Sequence, residues 1–137
     1  MIVVDSNIIG YLYLQSERSG QAEQILERDS QWAAPLLWRS EFRNVLAFYI
    51  RRCLLSLEAA QEIMEEALGL MTDQEYEIVS SRVLRLATGS QCSAYDCEFV
   101  ALAQELGVPL ITVDKQILEQ FADIAMSPEK YLAARRK

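Results

Sequence analysis

The chain has 137 residues, with 13 Lys+Arg against 20 Asp+Glu, a net charge of −7 and no histidine. Without histidine it cannot build a Ser-His-Asp triad, a Cys-His pair, a His-held metal or a His general base, so any chemistry falls to carboxylates, hydroxyls, thiols, amines or a metal held by oxygen. The acidic balance also counts against a simple basic-surface nucleic-acid binder, because phosphate contacts favour Lys and Arg.

The N-terminal MIVVDSN has no basic leader, and its apolar run stops at Asp5. It therefore reads as neither a signal peptide nor a membrane span, and the chain is expected in the cytoplasm. Ile2-Val3-Val4 is a short β-branched strand; Asp5-Ser6-Asn7 are all N-cap types, and Ile8, Ile9, Leu12 and Leu14 follow at near-helical spacing. Ser16 to Gly20 reads as a turn, Gln21 to Arg28 as a short helix on Ala22, Ile25 and Leu26, and Trp32-Ala33-Ala34 as a second strand ended by Pro35.

From Leu36 to Arg52 the spacing is helical, with Leu37, Glu41, Asn44 and Phe48 along one side and Trp38, Phe42, Val45 and Tyr49 along the next. Ser56 caps a helix over Leu57–Leu70, Tyr76–Val79 reads as a third strand, and Ser80–Ala87 as the helix after it. Ser93 and Asp96 fit a capping box for a helix carrying Phe99, Val100, Ala103 and Leu106 and stopped by Gly107. Leu110–Val113 reads as a buried strand ending in Asp114, followed by a helix over Lys115–Phe121 and a last strand near Ile124-Ala125. Arg135-Arg136-Lys137 is a basic tail, read as a solvated end. Three cysteines, Cys53, Cys92 and Cys97, lack CxxC spacing and are odd in number, which speaks against a disulfide framework or a zinc site.

The length suits one domain, since a chain of this mass buries roughly two-thirds of its unfolded surface. Strands alternating with helices throughout indicate an α/β fold around a mainly parallel sheet. No repeat, low-complexity tract or linker interrupts it.

Asp5 and Asp114 share one setting: each follows a buried strand and precedes a helix, at the sheet edge where open α/β folds bind ligands. The ordinary reading of both is helix capping, worth about 1 kcal/mol relative to Ala, and Asp96 has the same reading within its capping box. Glu41 is harder to assign to structure, because it lies inside its helix among apolar residues; an unpaired buried charge is costly, so a compensating cation is expected beside it. If four acids from separate segments converge, their repulsion raises some of their pKa values unless a divalent metal neutralises them. Oxygen donors select hard cations such as Mg2+ or Mn2+, which activate water and stabilise charge in phosphodiester displacement.

The runs IVVDSNIIGYL, SEFRNVL and SAYDCEFVALAQELGVPLITVDKQIL, with their separations, resemble the PIN-domain ribonucleases, especially the VapC-like toxins of bacterial and archaeal toxin-antitoxin pairs. The resemblance runs from Ile2 to about Leu118 and is strongest over YDCEFVALAQELGVPLITVD. It implies a three-layer α/β/α fold with a parallel sheet, an acidic Mg2+ or Mn2+ pocket and endonucleolytic cleavage of RNA. Carried over by position, the catalytic and metal-holding acids are Asp5, Glu41, Asp96 and Asp114, with Asn7 and Thr112 as polar groups that hold carboxylates or water. Asn44, one helical turn from Glu41, is placed to orient it. The resemblance further implies a small antitoxin covering the pocket and a homodimer.

Arg39, Arg43, Arg51, Arg52 and Lys115 lie near the acids in sequence and are candidates for holding phosphates, with solvated surface charge as the ordinary reading. Other readings are a PIN-fold nuclease outside a toxin pair, a non-catalytic binding module, and a phosphotransfer domain with Asp5 as acceptor. Against the last, Asn7 stands where a phosphatase would need a second Asp, and a receiver's paired acid and isolated Lys are missing.

Overall fold

A computed structural model describes residues 1–134; the basic tail Arg135-Arg136-Lys137 lies outside the described residues. Ile2–Val4 (β1) forms the middle of the sheet, and all three residues are fully buried, as a strand covered on both faces requires. It pairs in parallel with Trp32–Pro35 (β2) on one side and Leu110–Ile111 (β4) on the other. Glu75–Tyr76 (β3) extends the sheet beyond β2 and Ala125–Met126 (β5) beyond β4, giving the order β3-β2-β1-β4-β5 with every pair parallel.

The chain steps outward from β1 to β3 through Ser6–Tyr13 (α1), Ser19–Arg28 (α2), Leu37–Arg51 (α3) and Leu57–Leu70 (α4). It returns through Ser80–Thr88 (α5) and Ala94–Leu106 (α6) to β4, and then through Lys115–Gln120 (α7) to β5. Right-handed crossovers place helices of an outward path and a return path on opposite faces of a parallel sheet. The packing agrees: α1 packs against α2, α3 and α4, whereas α6 packs against α5 and lies on β1, β2 and β4. This is the expected three-layer α/β/α arrangement.

Trp32, Trp38, Phe42, Ile8, Ile9, Ile25, Leu102 and Leu110 are fully buried between the layers. Truncation of one such aromatic to Ala costs about 3–5 kcal/mol through lost transfer energy and the cavity left behind. Gly107 ends α6 with φ +67°, a left-handed conformation that disfavours a Cβ, and its N–H returns to the helix carbonyls.

Four elements differ from expectation. The third strand occupies Glu75–Tyr76 instead of Tyr76–Val79: only these two residues find partners on β2, and Val79 is already the cap of α5. β4 ends at Ile111, although the Thr112 N–H still donates to the Met126 carbonyl before the chain turns toward Asp114. β5 sits one residue later than expected, at Ala125–Met126. A last helix, Pro128–Ala133 (α8), was not anticipated; Ser127 caps it, Pro128 stands at its start, and Arg28 of α2 donates to the Tyr131 carbonyl.

Candidate active site

β1 leads out to β2 on one side, and β4 enters on the other, so the strand order reverses between β1 and β4. Such a switch point opens a crevice at the carboxyl ends of the strands. Asp5 stands at the end of β1 and Asp114 three residues beyond β4. Both cap helices, as the simplest reading of the sequence held: Asp5 Oδ1 accepts from the Asn7 N–H at 2.9 Å, and Asp114 Oδ1 from the Ile117 N–H at 2.9 Å. Thr112 joins them across the crevice. Its hydroxyl donates to Asp5 Oδ2 at 2.7 Å and accepts from the Asp114 N–H at 3.1 Å. One buried threonine thus fixes the rotamer of one acid and the backbone of the other.

Glu41 approaches from α3. Its Oε1 accepts from the Ser6 hydroxyl at 2.7 Å, which ties the middle of α3 to the first residue of α1. Asp96 arrives from the first turn of α6; Ser93 Oγ accepts the Asp96 N–H at 3.1 Å, the backbone half of the expected capping box. These acids line one cleft of about 270 Å³ together with Ser6, Asn7, Asn44, Val45 and Phe99. The structure therefore gathers Asp5, Glu41, Asp96, Asp114, Asn7 and Asn44 at a single opening, with Thr112 buried directly behind. Sequence reading missed Ser6, Val45 and Phe99. Ser6 had been read only as part of a capping run, and its partner lies 35 positions away.

Burial is the main reason that Asp5, Glu41 and Asp96 hold their protons above the ordinary carboxylate range. Hydrogen bonds from Thr112 and Asn7 oppose this at Asp5, and the Asp114 charge adds to it. At Glu41 the Ser6 bond opposes it while the charges of Asp5, Asp96 and Glu98 add to it. At Asp96 the charges of Asp114 and Asp5 add to burial, against the Ser93 bond. Asp5 and Asp96 are thus close enough to feel Asp114, and Glu41 to feel Asp5 and Asp96.

The cation expected beside Glu41 is absent from the cleft lining, which holds neither Lys nor Arg. Arg39, the nearest candidate on α3, instead makes a bidentate pair with Glu75, with both bonds at 2.5 Å. Arg43 donates to the Arg39 carbonyl and Ser40, and Arg52 lies over the Phe48 ring at 4.7 Å. Phe48, expected on the same side of α3 as Glu41, is half exposed. Among the described residues, no three acidic or thiol side chains already stand as a group that would hold an ion. The fit to a metal is thus one of donor kind: several carboxylates of separate strands and helices, uncompensated by protein cations, facing one opening.

The PIN domain family matches residues 2–124. The chain is 32% identical over 123 residues to Ribonuclease VapC3 of Pyrobaculum aerophilum, covering 88% of this chain and 94% of that relative. Among solved structures, PAE2754 of Pyrobaculum aerophilum superposes with a TM-score of 0.76 at 21% identity, over 96% of this chain and 92% of the other. A toxin-antitoxin complex from Klebsiella pneumoniae gives 0.67 at 20% identity, over 93% and 98%. FitAcB from Neisseria gonorrhoeae gives 0.73 at 17% identity, over 94% and 99%. At these identities the solved structures speak to the fold, while the family match and the ribonuclease relative span most of the sequence. The parallel sheet, its switch-point cleft and these matches lead to one conclusion: the chain belongs to the PIN domain family.

Proposed function

We propose that this protein is a metal-dependent endoribonuclease, the toxin of a toxin-antitoxin pair, with its active centre at Asp5, Glu41, Asp96 and Asp114. The observation that carries the reading is the gathering of these four carboxylates in one cleft whose lining contains no basic residue. Similarity to a VapC ribonuclease over 94% of that relative's length supports the activity. A solved neighbour described as a toxin-antitoxin complex supports the toxin role and a small antitoxin as partner. The homodimer implied by the family resemblance belongs to the same reading. None of the described helices is long and apolar enough to cross a membrane.

Asp5, Asp96 and Asp114, assisted by Glu41, would hold one or two Mg2+ or Mn2+ ions through oxygen alone. Such an ion, when bound, offsets the charge of the phosphodiester and makes water a stronger nucleophile at neutral pH. The protein supplies position. Thr112 and the Asn7 N–H occupy one lone pair on each Asp5 oxygen and leave the others for ligation. Ser6 aims Glu41, and Asn44, on the next turn of α3, adds an amide to the same opening. Left without a cation, the carboxylates would repel the substrate, so the same charge that binds the ion makes activity depend on it.

The test is cleavage of a pool of structured RNAs by wild type and Asp5→Asn, with and without Mg2+, with the product ends sequenced. Discrete cuts by wild type that need Mg2+ and vanish in the variant are expected. Equal Mg2+-dependent cutting by Asp5→Asn would overturn the site.

A further inference from the structure

Ser6, Asn7 and Val45 line the acidic cleft on one side and, on the other, a second groove of about 200 Å³ between α1 and α3. The two hollows therefore adjoin. The second differs in character: it contains no carboxylate, and its walls carry the rings of Tyr11 from α1 and Tyr49 from α3. Among the described residues, neither phenol hydroxyl makes a hydrogen bond. The floor is Gly10, in the middle of α1, where an added Cβ would meet nothing within 4 Å. A glycine at that place weakens its helix relative to alanine, and the result is an open floor. At its far end the groove shares Tyr11 and Ser16 with a hollow that carries Arg18, whose guanidinium stands 5.9 Å from the Tyr11 ring centroid.

We propose that the Tyr11–Tyr49 groove is the nucleobase subsite of this enzyme, receiving the base of a nucleotide next to the phosphate positioned at the acidic cleft. The inference rests on the RNA-cleaving reading of that cleft. Three features favour a single-stranded nucleic acid as occupant. The groove adjoins the carboxylate cleft across Ser6, Asn7 and Val45, which sets base and phosphate side by side. Aromatic faces bind bases by stacking, which single-stranded RNA permits and a duplex does not. Asn7 at the junction, with Ser16 beyond, supplies polar groups at the rim for the base edge, whereas Arg18 at the far end is already paired with Glu129 at 3.2 Å.

The test measures binding and cleavage separately. Affinity for a short single-stranded RNA is measured by fluorescence anisotropy in Ca2+, an oxygen-seeking cation that activates water less than Mg2+, for wild type, Tyr49→Ala, Tyr49→Phe and Gly10→Leu. Mg2+-dependent kcat/KM is measured on the matching RNA and on the same RNA lacking the base beside the cut. Loss of one stacked base corresponds to about 5- to 150-fold in affinity. Tyr49→Ala and Gly10→Leu should each weaken binding within that range and lower kcat/KM on the complete RNA. On the RNA lacking the base they should match wild type, and Tyr49→Phe, which keeps the ring, should recover the affinity lost in Tyr49→Ala. Melting curves separate a blocked groove from a damaged fold for Gly10→Leu, and Tyr49→Ala supplies the second variant. Unchanged oligonucleotide affinity in both Tyr49→Ala and Gly10→Leu, beside normal wild-type cleavage, overturns the subsite alone. Absence of cleavage by wild type overturns the RNA-cleaving reading and the subsite with it.

Discussion

Two glutamates meet helix α3 and have opposite fates. Glu75, from the short strand β3, accepts two bonds from Arg39 and a third from the fully buried Trp38 indole at 2.8 Å. The Arg39 bond is the main reason its carboxyl is held below the ordinary range. Glu41, two positions along α3 from Arg39, accepts one bond from Ser6 and faces Asp5 and Asp96, and burial holds its carboxyl above the ordinary range. Arg39 of this helix is thus given to Glu75, and no cation of the helix lines the cleft where the acids gather. The Glu75 carboxylate is neutralised by the protein, whereas no Lys or Arg lines the cleft.

The largest break in that comparison comes from removing one acid of the cleft. Asp5→Asn should reduce RNA cleavage to background while the fold persists, because asparagine keeps the helix cap and removes a buried charge, which offsets the loss of the acceptor for the Thr112 hydroxyl. Parallel cleavage assays and urea unfolding check both halves. Next in size, Glu75→Ala should leave the buried Trp38 N–H without an acceptor and cost about 1–3 kcal/mol of stability. The cleavage rate of the folded fraction should stay near wild type, as measured by unfolding and kcat at saturating RNA.

A smaller effect distinguishes the two glutamates by sign. Since the Glu41 pKa is raised on folding, its contribution to stability is full below about pH 4.5 and is lost as pH rises through the folded-state value. Since the Glu75 pKa is lowered, its contribution is present above about pH 4.5 and is lost as pH falls through the folded-state value. Without metal, Glu41→Gln should therefore be more stable than wild type at neutral pH, with the gain fading in acid. Glu75→Gln should be less stable at neutral pH, with the deficit fading in acid. Unfolding curves from pH 3.5 to 7.5 would show the two differences, opposite in sign at neutral pH, converging in acid, and equal pH slopes for the two variants would break the comparison.

The sequence disclosed those parts of the site whose local signals are strong. Asp5 and Asp114 each end a run of buried β-branched or aliphatic residues, and Ser93 and Gly107 bracket a helix whose first turn holds Asp96. These are signals within four or five residues, and each element formed there, with β4 ending two residues earlier than expected. Thr112 and Asn7 came from family resemblance, and the structure gives both a physical role beside Asp5. Contacts over long separations were not legible. Ser6 with Glu41 and Arg39 with Glu75 are pairings over 35 and 36 positions, and the cation expected for Glu41 belongs to Glu75 for that reason. Short edge elements failed for a related cause. β3 is a strand only where β2 offers it a partner, so β-branched Ile78 and Val79 mark the approach to α5 instead. The start of α8 was legible in Ser127-Pro128, a capping residue followed by proline, but the six-residue helix lacks the apolar repeat that would announce it.

The claim that the cleft awaits a cation is tested most directly by the thermal midpoint as a function of Mg2+ and Mn2+ concentration at pH 7, in wild type, Asp5→Asn and Glu75→Gln. A ligand that binds only the folded state adds about 2.7 kcal/mol at one hundred times its dissociation constant. The account predicts a rise with metal concentration in wild type and Glu75→Gln and its loss in Asp5→Asn. A flat wild-type curve, or an equal rise in Asp5→Asn, would contradict it.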